Sequence, residues 1–325
     1  MKKILGIGNA LVDIVTLIDD EQILNKFALP KGSMQLVDHE KSKTIKNGTA
    51  NHSRTMASGG SAANTIHGLA MVGIESGFIG SIGKDETGDF FESDLKNAGV
   101  KTFLQRHQSP TGTAVALITP DSERTFATHL GAAVELNAED LNASDFKGYN
   151  ILYIEGYLII NKPLVIAACK IAKANKMKIA LDLASYNVVE ARLGDFKEIV
   201  EKYIDILFAN EEEAKAFTGM MPEEALKIIS GLCDVAVIKV GSEGSWIKRG
   251  EEVLKIGTIK VNPVDTTGAG DLYAAGFLYG YSKNFDLEKC GILGSHMAGK
   301  VIEIVGARMD EHKWLEIKQS IDRLD

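Results

Sequence analysis

Between Val264 and Tyr281 the chain reads VDTTGAGDLYAAGFLYGY, in which small and hydroxylic residues lead to an aspartate and then to an apolar run at helical spacing. The start of a helix presents backbone N–H groups without intrahelical partners and a partial positive charge, so it attracts anions. Gly268, Ala269 and Gly270 would leave those groups unobstructed and let a phosphate approach the backbone closely. Asp271 falls in the first turn, beside that site. A carboxylate there would repel a bound phosphate. Next to a phosphoryl group and an incoming hydroxyl, however, it can accept the hydroxyl's proton, a role worth roughly 10² to 10⁴ in rate. The plainer alternative is a capped helix, with Thr266 or Thr267 as N-cap and Asp271 favouring the dipole. Capping alone does not call for two glycines around one alanine.

A second stretch with chemical potential is Asn210-Glu-Glu-Glu213, at the head of a helical pattern after IDILFAN. Asparagine at an N-cap with glutamate three residues later forms a capping box, and the residues by themselves support no more than that. Two other stretches mimic nucleotide motifs. GSHMAGKV has P-loop spacing but ends in Val301, where a P-loop needs Ser or Thr, and it lies in a helical pattern with no strand before it. GIGNAL, after the first apolar run, lacks the third glycine of a dinucleotide fingerprint.

The 325 residues carry a net charge of −8, which argues against a nucleic-acid scaffold. No apolar run approaches the roughly 20 residues needed to span a bilayer, so no membrane association is expected. MKKILGIGNALVDIV resembles a signal peptide superficially, but Asp13 interrupts it and no small-residue cleavage site follows; a buried first strand fits better. Cys169, Cys233 and Cys290 are odd in number and far apart, as expected of buried thiols in a reducing cytoplasm. The seven histidines form no HExxH or Cys/His cluster, so no zinc site is expected.

From Tyr149 onward, NILYIEG, KIALDLA, IDILFAN and VAVIKVG read as strands buried on both faces. Helical patterns separate them over Pro163–Lys176, Asp195–Tyr203 and Pro222–Leu232. The N-terminal half begins alike, with KILGIG as a strand and helices over Ala62–Val72 and Glu86–Ala98. This alternation predicts an α/β fold with a mainly parallel central sheet and helices on both faces. Two segments, 14–40 and 102–130, are instead alternating and Gly/Pro-punctuated, as in TAVALITPDSERTFATHL. They suit antiparallel strands, either as a small sheet forming a lid or as ordinary edge hairpins.

DTTGAGD, together with GGSAANTIHGLAMVG from Gly59 to Gly73, GIGNALVDI and NEEEAKAFTG, resembles the ribokinase (PfkB carbohydrate kinase) family in order and spacing over nearly the whole chain. TGTAVALITPDSERTFATHLGAA, and the pairing of Asn9 with Asp13, look most like the adenosine kinase branch. The resemblance implies a ribokinase-like fold, a single catalytic domain over 1–325 with a lid, and an ATP-dependent kinase acting on a primary hydroxyl. It makes Asp271 the catalytic base and Gly268, Ala269 and Gly270 an anion hole, with Thr267, Lys239, Gly241 and His296 also at ATP. Asn210 and Glu213 would organise Mg2+ and its waters. Arg124 would reach the phosphate from the lid. Asp265, with Thr267 and backbone near Val305 to Ala307, resembles a monovalent-cation (K+) site. Asn9, Asp13, Gly60 and Asn64 would hold sugar hydroxyls.

A nucleoside acceptor needs aromatic or apolar walls, for which Phe126 and Tyr157 are candidates, although core packing explains both equally well. Glu155 in YIEGYLI departs from the adenosine kinases and suits a free sugar such as ribose, fructose or a keto-sugar acid. A binding protein that kept the fold as a sensor is the non-enzymatic alternative. The family implies a small-molecule nucleoside or sugar partner and either a monomer or a homodimer.

Overall fold

The computed structural model describes residues 2–121 and 123–324. Met1, Asp325 and Ser122, the last within the DSERTF stretch, lie outside the described residues. The first half contains β1 (Ile4–Ile7), β2 (Leu11–Leu17), β3 (Met34–Leu36), β4 (Arg54–Gly59), β5 (Ser76–Gly83), β6 (Lys101–His107), β7 (Gly112–Ile118) and β8 (Arg124–His129). The second half contains β9 (Ile151–Glu155), β10 (Lys178–Asp182), β11 (Ile206–Asn210), β12 (Val235–Lys239), β13 (Ser245–Arg249) and β14 (Glu252–Ile256).

Nine strands form the main sheet in the order β14-β13-β12-β11-β10-β9-β1-β5-β6. Pairs from β12 to β6 are parallel, and β13 and β14 add an antiparallel edge. Successive side chains of a strand point to opposite faces, and both faces are covered here. Ile151 and Tyr153 join one core with Ile66, Leu272 and Phe277, while Leu152 and Ile154 join the other with Leu164, Phe196 and Phe217. That is why these strands read as unbroken apolar runs. The helices follow the periodicity closely, as Lys162–Ala174, Leu193–Tyr203, Pro222–Ile229, Ser61–Met71 and Glu86–Asn97.

A second, smaller sheet has the order β3-β8-β7-β2-β4. Its makeup corrects the sequence reading in three ways. Lys101–His107, placed in the expected lid segment, is β6 of the main sheet, paired in parallel with β5 as the last strand of a crossover. β4, which lies outside both expected segments, forms one edge of the small sheet against β2. The pairing is mixed rather than antiparallel, since β2 pairs in parallel with β7 and β3 with β8. The cause is directional: β2 continues β1 and β7 follows β6 after short links, so both leave the parallel sheet heading the same way. Val12, Ile14, Val115, Leu117 and Ala127 of the small sheet belong to the same core as Ile66 and Leu272, so packing is continuous between the two layers.

The helices Ala269–Ser282 and Leu287–Val301 pack closely through glycines. A Cβ on Gly276 would overlap the Leu293 carbonyl and stand 2.9 Å from Gly294 Cα. Gly194, in the helix Leu193–Tyr203, has nothing within 4 Å of the same position. Gly276→Ala should therefore lose about 1–3 kcal/mol by overpacking, outweighing the gain in helix propensity. Gly194→Ala should be neutral or stabilising. Urea unfolding midpoints of the two variants check this, and equal midpoints would contradict the packing argument.

Candidate active site

The parallel sheet reverses strand order between β9 and β1, since chain succession runs one way through β10 to β12 and the other way to β5 and β6. In such sheets the crevice at the carboxyl ends of the strands at this point is the natural binding place. Here it is stitched across: the Asn9 N–H, just past β1, donates to Glu155 Oε1 at the end of β9 (2.8 Å). Glu155 Oε2 accepts from the Ala62 N–H (2.9 Å). A cleft of about 960 Å3 opens over these strand ends, bounded by Asp182 of β10, Asn210 of β11 and Lys239 of β12.

The helix Ala269–Ser282 starts at this cleft. Its N-cap is Gly268, left-handed at φ +77°, with no side-chain cap, so neither Thr266 nor Thr267 caps it. The Ala269 N–H turns back to the Thr266 carbonyl (3.1 Å). The Gly270 and Asp271 N–H groups are therefore the first-turn donors left without a capping side chain. Ala269, Gly270 and Asp271 line the cleft, whereas Gly268 turns away against Ala307. A Cβ on Gly270 would stand 3.1 Å from Lys239 Nζ, so a cation borders the same spot. Lys239 pairs with Asp182 (2.8 Å). Burial disfavours its charge, but Asp182 and Glu213 overcome that and raise its pKa.

Asp271 is half-buried at the cleft and held at both oxygens, Oδ1 by the Ser61 hydroxyl (2.7 Å) and Oδ2 by the Asn64 amide (2.9 Å). Burial raises its pKa above the ordinary range, against the lowering effect of those two hydrogen bonds. Both donors come from the first turn of the helix Ser61–Met71, entered through Gly60 at φ +96°. No other residue suits position 60, because a Cβ would overlap the Asn9 carbonyl oxygen as well as meet the left-handed backbone. Asp13 on β2 lines the same end of the cleft, and burial pushes its pKa up to about 6, with Arg308 pulling down and Asp271 pushing up.

The remaining expected residues divide. Asp13, Gly60, Asn64, Phe126, Tyr157, Asn210, Glu213, Lys239, Gly241 and Thr267 all line the cleft with Asp271. Asn9 does not line the cleft; its N–H is bonded to Glu155. His296 does not line the cleft. Residues 295, 298, 299 and 302 do, and position 296 lies about 100° around the helix from 295. Its pKa is lowered by burial and by Lys300. Arg124, first residue of β8, is turned to Asp265, with which it forms an ion pair, and donates to Thr267 Oγ1 (3.2 Å) rather than facing the cleft.

Asn210 and Glu213 do form the capping box: the Glu213 N–H donates to Asn210 Oδ1 and the Asn210 N–H to Glu213 Oε2, each at 2.8 Å. Asn210 Nδ2 holds the other Glu213 oxygen (2.7 Å). Burial and the facing Asp182 push the Glu213 pKa up to about 7. No group of three or more metal-binding side chains exists among the described residues. The donor set fits a magnesium ion that keeps its waters and is bound mainly by phosphates, because these carboxylates retain free lone pairs for such waters. In this state the Asp265 carboxylate has no open place for a monovalent cation. One oxygen of that carboxylate takes Arg124 and the Thr267 N–H, and the other takes the Gly306 N–H, so it is already neutralised.

Three contributors escaped the sequence reading, the first of them Ser61, which holds Asp271. Asp182 ends the apolar strand KIALD, and an acid at the carboxyl end of a parallel strand was the available signal. Ile259, Val261, Pro263, Ala298 and Ile302 give the cleft apolar lining, for which scattered loop residues offer no signal.

Comparison with known proteins places this geometry in a lineage. The pfkB family carbohydrate kinase profile matches residues 33–314. A nucleoside kinase of Methanocaldococcus jannaschii is 27% identical over 99% of this chain and 98% of its own. A probable sugar kinase from Rhizobium etli is 34% identical with a TM-score of 0.89, covering 100% of this chain and 99% of that one. An adenosine kinase from Sinorhizobium meliloti is 34% identical with a TM-score of 0.87, covering 98% and 99%. Among the described residues, no helix is long and apolar enough to cross a membrane. The ribokinase-like fold is thus borne out, and the chain belongs to the pfkB carbohydrate kinase family and is an ATP-dependent phosphotransferase of the sugar and nucleoside kinase kind.

Proposed function

We propose that the enzyme phosphorylates a primary hydroxyl on the ribose of a nucleoside, adenosine or a close analogue, in the cytoplasm. The observation that carries this reading is that Asp13, Asn64 and Asp271 line one cleft together with Phe126 and Tyr157. Carboxylates and an amide suit ribose hydroxyls, and the two rings suit the faces of a base. The similarity to a nucleoside kinase and an adenosine kinase supports it. Glu155, the residue that hinted at a free sugar, has both carboxylate oxygens committed to backbone N–H groups.

In the mechanism this implies, Asp271 accepts the proton of the acceptor hydroxyl as its oxygen attacks the γ-phosphorus and ADP departs. Burial makes that carboxylate a stronger base than an exposed aspartate, and Ser61 and Asn64 hold it in place. The Gly270 and Asp271 N–H groups and the Lys239 ammonium meet the charge on the transferring phosphoryl. Magnesium would neutralise phosphate charge, its waters held by Asn210 and Glu213. The five-stranded sheet acts as a lid that excludes water, and Arg124 exchanges Asp265 for phosphate as the cleft closes.

A coupled ADP-release assay across nucleosides and free sugars tests the acceptor. Adenosine-like nucleosides should give the highest kcat/KM. Preference for ribose, fructose or a keto-sugar acid would replace this reading, and nucleoside binding without turnover of any acceptor would mark a sensor. Asp271→Asn should lower kcat by about 10² or more while leaving ATP and acceptor affinity nearly intact. Because the Asp271 pKa is raised, wild-type kcat should fall on acidification at a pH above the usual aspartate range, and near-normal turnover of the asparagine variant would remove Asp271 as the base.

A further inference from the structure

Within three residues, the segment that follows the helix Leu287–Val301 reaches both the turn that enters the helix Ala269–Ser282 and the small sheet. Gly306 donates its N–H to Asp265 Oδ2 (2.5 Å), two residues before Thr267. Ala307 packs on Gly268 at the phosphate-binding turn, its methyl 2.7 Å from where a Cβ on Gly268 would stand. Arg308 then crosses to the small sheet, where one terminal nitrogen donates to the Ser58 carbonyl and to Ser58 Oγ (2.7 Å). Ser58 precedes the Gly59–Gly60 pair that leads into the helix carrying Ser61 and Asn64.

Ser58 is gripped from two sides. Asp94 Oδ2 accepts its N–H (2.9 Å) and its hydroxyl (2.6 Å), while Arg308 supplies donors to its oxygens. Gly59 in turn lies flat on Asp13, so close that a Cβ would overlap the carboxyl group. The other two guanidinium nitrogens, Nε and Nη1, are buried with no hydrogen-bond partner among the described residues. The carboxylates whose charges favour the protonated guanidinium are Asp94, Asp13 and Asp271. His67, near it on the helix Ser61–Met71, is kept neutral by burial and by Arg308 itself. Guanidinium nitrogens buried without partners are costly unless the charge they carry serves the carboxylates around it.

We infer that Arg308 is a positioning residue for phosphoryl transfer, fixing the Gly59–Gly60 turn through Ser58 and presenting its charge to Asp13, so that residues 306–308 tie the phosphate-binding turn to the acceptor pocket. Asp13 must be ionised to accept hydrogen bonds from two hydroxyls. Burial and Asp271 oppose ionisation, and Arg308 is the cation that favours it. A lysine could supply the charge, but its ammonium, on a different stem, would not reproduce the place that the single guanidinium nitrogen takes between the Ser58 carbonyl and hydroxyl.

The inference rests on the placement of Asp13 at the acceptor, and not on which acceptor is used. Its test is calorimetric binding of the best acceptor from the panel and of ATP, from pH 5 to 8, to folded wild type, Arg308→Met, Arg308→Lys and Asp13→Asn. In wild type, acceptor affinity should fall as pH drops through about 6. Arg308→Met should weaken acceptor binding about tenfold or more and move that fall upward by about one pH unit, with ATP affinity changed less than about threefold. Arg308→Lys should leave the midpoint in place and weaken the acceptor about fivefold. Unchanged acceptor affinity and midpoint in Arg308→Met overturns the inference, as does an equal loss for ATP and acceptor, the mark of general disruption. Should Arg308→Met fail to fold, wild-type acceptor affinity in Arg308→Lys overturns it. Asp13→Asn separates the two readings: if that variant binds acceptor normally, the acceptor site itself is misplaced; if it binds poorly while Arg308→Met is normal, only the role of Arg308 fails.

Discussion

An anion must be held beside a place built to attract anions. Asp271 sits in the first turn of the helix Ala269–Ser282, where uncapped N–H groups favour negative charge, and it shares that corner with whatever phosphoryl those groups bind. Left free, the carboxylate would turn into the N–H groups and block them. The Ser61 hydroxyl and the Asn64 amide pull both of its oxygens toward the helix Ser61–Met71 instead. That grip needs the Gly60 turn, which needs β4 and the Asn9 backbone in place, which in turn depend on Glu155 bridging β1 and β9. Much of the acceptor side of the molecule serves to keep one carboxylate aimed across the cleft.

Charge compensation follows the same logic. Asp182, Glu213, Asp13 and Asp271 crowd one region, and burial pushes three of them toward their neutral forms. Lys239 answers through Asp182, and Arg308 answers through the charges of Asp94, Asp13 and Asp271. Arg124 is committed to Asp265 in this state, which joins the small sheet to the residues just before the phosphate-binding turn. Since both layers share one apolar core, motion of the small sheet would trade that ion pair against contacts with a bound phosphate while its root stays packed.

Much of the fold was legible because parallel strands buried on two faces have few ways to be written: KILGIG, NILYIEG, KIALDLA, IDILFAN and VAVIKVG all fall in the main sheet. DTTGAGD was legible because its glycines have no other economical use. β4 was not, since Arg54, Thr55 and Met56 are exposed and only the edge of β2 makes RTMASG a strand. β6 falls in the expected lid segment because an edge strand half open to solvent carries polar residues as a hairpin strand does. His296 was misplaced because a motif gives a residue's neighbourhood, not the face of the helix it occupies. Arg308 was invisible because its meaning lies in Ser58, 250 positions away, and no spacing rule reaches that far.

The central physical claim is that the uncapped first turn grips the travelling phosphoryl while Asp271 addresses its acceptor. The most direct measurement is a crystal structure with ADP, magnesium, the acceptor and an aluminium fluoride mimic of the transferring group. The expected result has the mimic within about 3.2 Å of the Gly270 and Asp271 nitrogens, with the acceptor oxygen hydrogen-bonded to the Asp271 carboxylate and in line with the mimic. A mimic bound away from that turn, or an acceptor oxygen out of reach of Asp271, would contradict it.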